Sequence, residues 1–134
     1  MTQAPLMDRI HITEDYDVPR VINGGWQLSA GHALERPLDL ADASRAFNRL
    51  IDMGFDTFDC ADIYTGVEDF FGGIIRERRK AGLRLPQIHT KFVPDLNDLA
   101  NVTPAYIENI ITRSLRRLGV ERLDAVQFHW WDSV

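Results

Sequence analysis

Phe55-Asp-Thr-Phe-Asp-Cys-Ala-Asp-Ile-Tyr-Thr-Gly-Val-Glu-Asp-Phe-Phe-Gly-Gly-Ile-Ile75 changes its period part-way along, and that change decides the fold. Phe55 to Asp59 alternates, with Thr57 and Asp59 on one side and Phe58 on the other, as a strand does. Beyond a loop from Cys60 to Tyr64, Val67, Phe70, Phe71, Ile74 and Ile75 recur at the spacing of one helix face. Thr65 and Glu68 stand where a capping box needs them, each side chain meeting a backbone amide that the first turn leaves free. A strand that runs through a short loop into a helix is half of a βαβ unit.

The same unit repeats on both sides. Upstream, a polar lead with Glu14, Asp15 and Asp17 is expected to form a small flap, and Arg20 to Trp26 reads as a short strand ending in glycines. Leu40, Ala43, Phe47, Leu50 and Ile51 then make a helix from Asp39, with Gly54 at its left-handed stop. Downstream, Gln87 to Phe92 is a strand set off by Gly82 and Pro86. Thr103 and Pro104 supply an N-cap and first helical position for a stripe of Ile107, Ile110, Ile111, Leu115 and Leu118 that stops at Gly119. Leu123 to Trp130 is a last apolar run. The order β, α, β, α, β, α, β predicts four parallel strands joined by right-handed crossovers. With no repeat, linker or shift in composition, residues 1–134 are expected to form one unit. Gly72-Gly73 falls inside the second helix, where each glycine costs ~1 kcal/mol relative to alanine. Close packing of that helix on the sheet is the expected reason, not a phosphate loop.

Composition narrows the functional classes. A chain of 134 residues with 45% apolar residues can bury a core, and 15 basic against 20 acidic residues argue against nucleic acid as a partner. Cys60 is the one cysteine, so an internal disulfide is impossible, and a reducing compartment, the cytoplasm, is the expected address. It reads as a small packed residue. No apolar run approaches the ~20 residues of a membrane span, and Met1 to Asp8 lacks the pattern of a signal peptide.

Three strands end on an ionisable residue: Asp59, Lys91 and His129. In parallel βα folds that edge is where active sites form. Period two places Thr57, Asp59, His89, Lys91, Gln127 and His129 on the face opposite Phe58, Ile88, Val126 and Phe128. The apolar set is expected to pack under helices while the ionisable set points inward. Tyr64 follows just beyond the second strand.

Asp59-Cys-Ala-Asp-Ile-Tyr64 resembles the aldo/keto reductase motif in which aspartate and tyrosine stand five apart. Thr90-Lys91 is similar to the family's third-strand Thr-Lys, Phe128-His129-Trp130 to its fourth-strand His-Trp, and Gly24-Gly25-Trp26 to its Gly-x-Trp. The resemblance covers residues 10 to 132 and implies an α/β fold of the parallel (β/α) TIM-barrel type, here its first four βα strands, a half barrel. It also implies NAD(P)H-dependent reduction of aldehydes or ketones by a catalytic set of Asp59, Tyr64, Lys91 and His129. Hydride delivery to a carbonyl carbon leaves charge on oxygen, so a poised proton donor lowers the barrier. Tyr64 is the expected donor. An ammonium close by favours the ionised phenol, a role for Lys91, and Asp59 supplies the counter-charge a buried lysine needs. His129 would orient the substrate oxygen. Gly25, Trp26 and Asp59 are expected beside the cofactor, NADPH or NADH, and Trp26, His129, Trp130 and Trp131 around a small carbonyl substrate.

Two departures bear on activity. The family's Tyr-Gly is Tyr64-Thr65-Gly66, one residue longer, and a complete barrel needs about 250 residues. A four-stranded half leaves its first and last strands with unpaired edges. Self-association, or completion by a missing C-terminal half barrel, is therefore expected, with weak activity or none from the chain alone. Two other readings compete: a non-catalytic interaction or regulatory module using the open half-barrel face, and a metal-dependent barrel hydrolase using His89 and His129. The hydrolase lacks a third ligand at a tight spacing. His89, deeper than Lys91, reads as a hydrogen-bonded core residue.

Overall fold

A computed structural model of the chain describes residues 7–30, 32 and 37–131. The extreme ends of the unit expected over 1–134, including residues 1–6 and Asp132, lie outside them. The elements are β1 (Arg9–Thr13), β2 (Tyr16–Pro19), β3 (Asn23–Gly24), α1 (Leu40–Asp52), β4 (Thr57–Asp59), α2 (Val67–Lys80), β5 (Gln87–Phe92), α3 (Pro104–Leu118) and β6 (Ala125–Phe128). Short 3₁₀ turns occupy Trp26–Leu28 and Leu96–Asn101.

Strands β3, β4, β5 and β6 form a four-stranded sheet in that order, every pair parallel. Strand order that never reverses is an arc of a (β/α)₈ barrel, because a doubly wound sheet switches direction at its centre. Along β5, Ile88, Thr90 and Phe92 are buried while Gln87, His89 and Lys91 are half-buried, the alternation expected from the sequence. The helices begin and end as their caps dictate. Asp39 Oδ1 accepts from the Asp42 amide at 3.0 Å to start α1, and Thr103 Oγ1 accepts from the Tyr106 amide at 3.2 Å to start α3. Gly119, at φ 66°, ends α3.

The core lies between the sheet and its helices. Phe58 stacks on Phe71 at 5.3 Å, and Phe47 meets their rings edge-on at 4.9 and 5.4 Å. Ile51, Ile75, Ile88 and Leu118 complete the cluster. Each such side chain, fully buried, contributes roughly 1.5–3 kcal/mol.

Five expectations need correction. The first sheet strand is only Asn23–Gly24, not Arg20 to Trp26. The capping box does not form: Gly66, at φ 81°, is the N-cap of α2 and makes no side-chain cap bond, while Glu68 turns inward and is buried. A left-handed cap favours glycine, and that turn carries the extra residue of Tyr64-Thr65-Gly66. Gly72 is bare because of α3 and not the sheet, since a Cβ there would collide with the Arg117 carbonyl oxygen. Thr57 is fully buried, although the sequence placed it on an open inner face. Val126 and Phe128 are exposed, Phe128 by 66%, because no helix among the described residues covers the outer side of β6.

The burial of Thr57 comes from the polar lead, which folds as the antiparallel hairpin β1–β2. Arg9 donates to Asp17 at 2.8 Å, to Asp56 at 2.9 Å and to Gln87 at 3.3 Å, and Gln87 donates to the Asp17 carbonyl at 3.0 Å. Asp56 and Gln87 stand where β4 and β5 begin, so the hairpin closes the amino-terminal end of the sheet. Charge-assisted bonds to an almost fully buried carboxylate make this a strong attachment.

Candidate active site

At the opposite, carboxyl edge, Asp59 is the last residue of β4 and Lys91 the last but one of β5. Lys91 Nζ donates to Asp59 Oδ1, Asp59 Oδ2 and the Cys60 carbonyl, each at 2.7 Å. The two carboxylate oxygens lie on one side of the ammonium, so Asp59 and the Cys60 carbonyl hold Lys91 from two directions. The same nitrogen lies 5.2 Å from the centroid of the Tyr64 ring, within the ~6 Å reach of a cation–π contact.

The loop that carries Tyr64 is tied down on several sides. The Asp62 amide donates to the Lys91 carbonyl at 3.2 Å and the Tyr64 amide to the Ala61 carbonyl at 3.1 Å. Asp62 Oδ1 accepts from the Val93 amide at 3.0 Å and Oδ2 from Arg113 at 3.1 Å. Burial raises its carboxyl to about 6, against the opposing pull of those donors. Glu68 is buried with both oxygens engaged, accepting from the Thr90 hydroxyl at 2.7 Å and from Arg117 at 3.3 Å. Sequence reading did not anticipate this contact between Glu68 and Arg117. Their signal was thin: a glutamate that fits a local cap, and an arginine far along the chain.

The other expected residues distribute as follows. His129 is exposed just past β6, its amide bonded to the Phe92 carbonyl at 3.0 Å and its ring 4.9 Å from that of Trp131. Among the described residues no hydrogen bond links its ring to Tyr64 or Lys91. Trp131 Nε1 donates to the Pro94 carbonyl at 2.7 Å, which fixes its indole beside that imidazole. Trp130 instead neighbours Phe128, 5.6 Å away, and Phe128 stacks on Phe92 of the helix-facing side. Trp26 is exposed and packs on the His32 ring at 3.8 Å. Gly25 is buried; a Cβ there would come within 2.9 Å of the Asp59 carbonyl oxygen and 3.0 Å of Phe71, so its bareness serves packing.

His89 bonds the Tyr16 hydroxyl at 2.9 Å, and burial lowers its pKa, which is the hydrogen-bonded core role read from the sequence. Among the described residues no three His, Cys, Asp or Glu side chains stand together as metal ligands. Burial pushes the Cys60 thiol up to about 12, away from the thiolate form that nucleophilic attack requires. A cleft of about 770 Å³ between the start of α2 and α3, lined by Asp62, Asp69, Asp95, Asn109 and Arg113 among others, includes none of Asp59, Tyr64, Lys91 or His129. No described helix is long and apolar enough to cross a membrane.

A model of the Aldo/keto reductase family matches residues 20–134. The chain belongs to the aldo/keto reductase family. No curated protein matches its sequence. Among solved structures, this aldo/keto reductase chain is similar to an aldo-keto reductase from Bacillus halodurans in its holo form, at 24% identity and a TM-score of 0.69, over 92% of this chain and 40% of the other. A Bombyx mori aldo-keto reductase in complex with NADP matches at 23% identity and a TM-score of 0.69, over 92% and 38% of the two chains. A Pseudomonas aeruginosa chain assigned to the aldo-keto reductases matches at 22% identity and 0.71, over 93% and 48%. The chain thus spans less than half the length of these relatives, and what they share with it is the parallel βα arc of a partial TIM barrel.

Proposed function

We propose that the chain carries the carbonyl-reducing centre of an aldo/keto reductase, as one partial barrel unit over residues 1–134. The observation that carries this reading is the convergence of Asp59, Lys91 and the Tyr64 ring at the carboxyl edge of the sheet. Tyr64 is the proton donor to the carbonyl oxygen of an aldehyde or ketone. The Lys91 ammonium, held by Asp59, stabilises negative charge as it develops on the phenolic oxygen. His129 orients the substrate oxygen, with Trp131 and Trp26 as the apolar walls and Trp130 beside Phe128 at the rim. A bound NADPH or NADH supplies the hydride. Of the residues expected beside it, Trp26 and Asp59 are accessible and Gly25 is not. The cofactor's adenosine phosphate and the outer face of β6 call for a second half barrel, a second copy or a separate chain, in the cytoplasm, so the chain alone turns over slowly or not at all.

The exposed outer face of β6 also favours a second reading, a non-catalytic module that binds a partner there. Steady-state reduction of an aromatic aldehyde with NADPH, together with NADPH titration of tryptophan fluorescence, separates the two. Quenching, with any turnover abolished by Tyr64→Phe, supports the reductase. Neither quenching nor turnover at saturating NADPH, even with a complementing second half barrel supplied, supports the module.

A further inference from the structure

Tyr64 and Lys91 sit on different segments, and no hydrogen bond among the described residues joins their side chains. We propose that Glu68 is a positioning residue for Tyr64, acting as a buried clamp that holds the Tyr64 loop at a fixed distance from Lys91; this rests on the reductase reading above.

The geometry runs in both directions from the Glu68 carboxylate, which is 1% exposed. On one side Oε1 accepts from Thr90, the residue before Lys91 on β5, at 2.7 Å. On the other, Oε2 accepts at 3.3 Å from Arg117 Nη1, and that same nitrogen donates at 3.0 Å to the carbonyl of Asp62, two residues before Tyr64. Thr90, Glu68, Arg117 and Asp62 thus form a closed path from the lysine strand to the tyrosine loop. Gly66 makes it possible, because its left-handed turn swings Glu68 inward immediately after the loop. A carboxylate buried this deeply is costly unless both oxygens are satisfied by partners of good geometry; here one partner sits on the lysine strand, and the other, on α3, is itself bonded to the tyrosine loop. An ammonium that acts through space on a phenol needs their separation held, since Coulomb energy in a partly desolvated site changes steeply with distance.

The chain has three tyrosines, Tyr16 in the hairpin, Tyr64, and Tyr106 on α3, so [¹³Cζ]tyrosine labelling of the whole chain gives a probe at the site and two controls away from it. Tyr64→Phe assigns the signal. Glu68→Gln is expected to move or broaden the Tyr64 resonance and leave Tyr16 and Tyr106 in place. Thr90→Val, which removes one donor and keeps the Glu68–Arg117 pair, is expected to do the same to a lesser degree, and Thr90→Ser to restore the original signal. This readout needs neither cofactor nor turnover, so it stands apart from failure of the reductase reading. Where reduction is measurable, kcat should fall about tenfold or more with KM nearly unchanged, as for a misplaced acid. An unmoved Tyr64 signal in folded Glu68→Gln, or equal movement of all three tyrosines, overturns the proposal. Should Glu68→Gln fail to fold, Thr90→Val and Thr90→Ser decide it alone.

Discussion

Lys91 Nζ stands 2.7 Å from both Asp59 oxygens and from the Cys60 carbonyl, and lies over the Tyr64 ring without bonding its hydroxyl. Lys91→Met strips those partners of their donor while leaving Asp59 partly shielded from water. Loss of about 1–3 kcal/mol of stability is expected from urea unfolding, because the acceptors stay behind unsatisfied. Asp59→Asn/Lys91→Met, which removes both charges, should recover part of that loss.

Adjacent glycines in α2 predict opposite signs. A Cβ at Gly72 would fall on the Arg117 carbonyl, whereas at Gly73 its nearest neighbour is the end of the Arg76 side chain at 3.9 Å. Gly73→Ala should raise stability by about 0.5–1 kcal/mol through helix propensity alone. Gly72→Ala should lower it by about 1–3 kcal/mol as α2 and α3 are forced apart. Thermal unfolding of the two variants checks the pair.

Stability should depend on pH through Asp62. Its folded carboxyl titrates at about 6, above the ordinary value of 3.8, so the folded chain holds a proton that the unfolded chain has released. That contribution is fully present below about pH 4, and fades as pH rises through about 6. Asp62→Asn, whose side-chain oxygen can still accept from Val93, should flatten this part of the stability–pH curve. His89 works with the other sign: its lowered pKa makes acidification below the ordinary histidine range destabilising, so single-variant difference curves are needed.

The floor of the sheet depends on Arg9. Arg9→Met removes the donor shared by Asp17, Asp56 and Gln87, leaving Arg84 as the partner of the buried Asp56. A loss of about 2–4 kcal/mol and faster amide exchange at Thr57 and Gln87 are the expected results.

The fold was legible where a signal was local. The alternation of Gln87 to Phe92 and the Thr103-Pro104 start and Gly119 stop of α3 each follow from a few neighbouring residues. Glu68 was misread for the same reason. Its place after Thr65 matches a cap, but its partners Thr90 and Arg117 lie 22 and 49 residues away, and the φ of Gly66 decides which way it turns. Of the site, the strand-end positions of Asp59 and Lys91 were readable from period two. The packing of Trp130 with Phe128, and the role of Gly25 against Phe71, depend on tertiary neighbours that no spacing announces.

The hairpin also sets a timetable. Arg9 leaves the ribosome long before Asp56 and Gln87, the acceptors that hold it beneath β4 and β5. During synthesis Arg9 therefore waits, its guanidinium in water, for partners still to be translated, and full docking of the hairpin can only follow the emergence of Gln87. A chain arrested before Gln87 would carry the hairpin undocked on one side, an early mark for the proteases that survey nascent polypeptides.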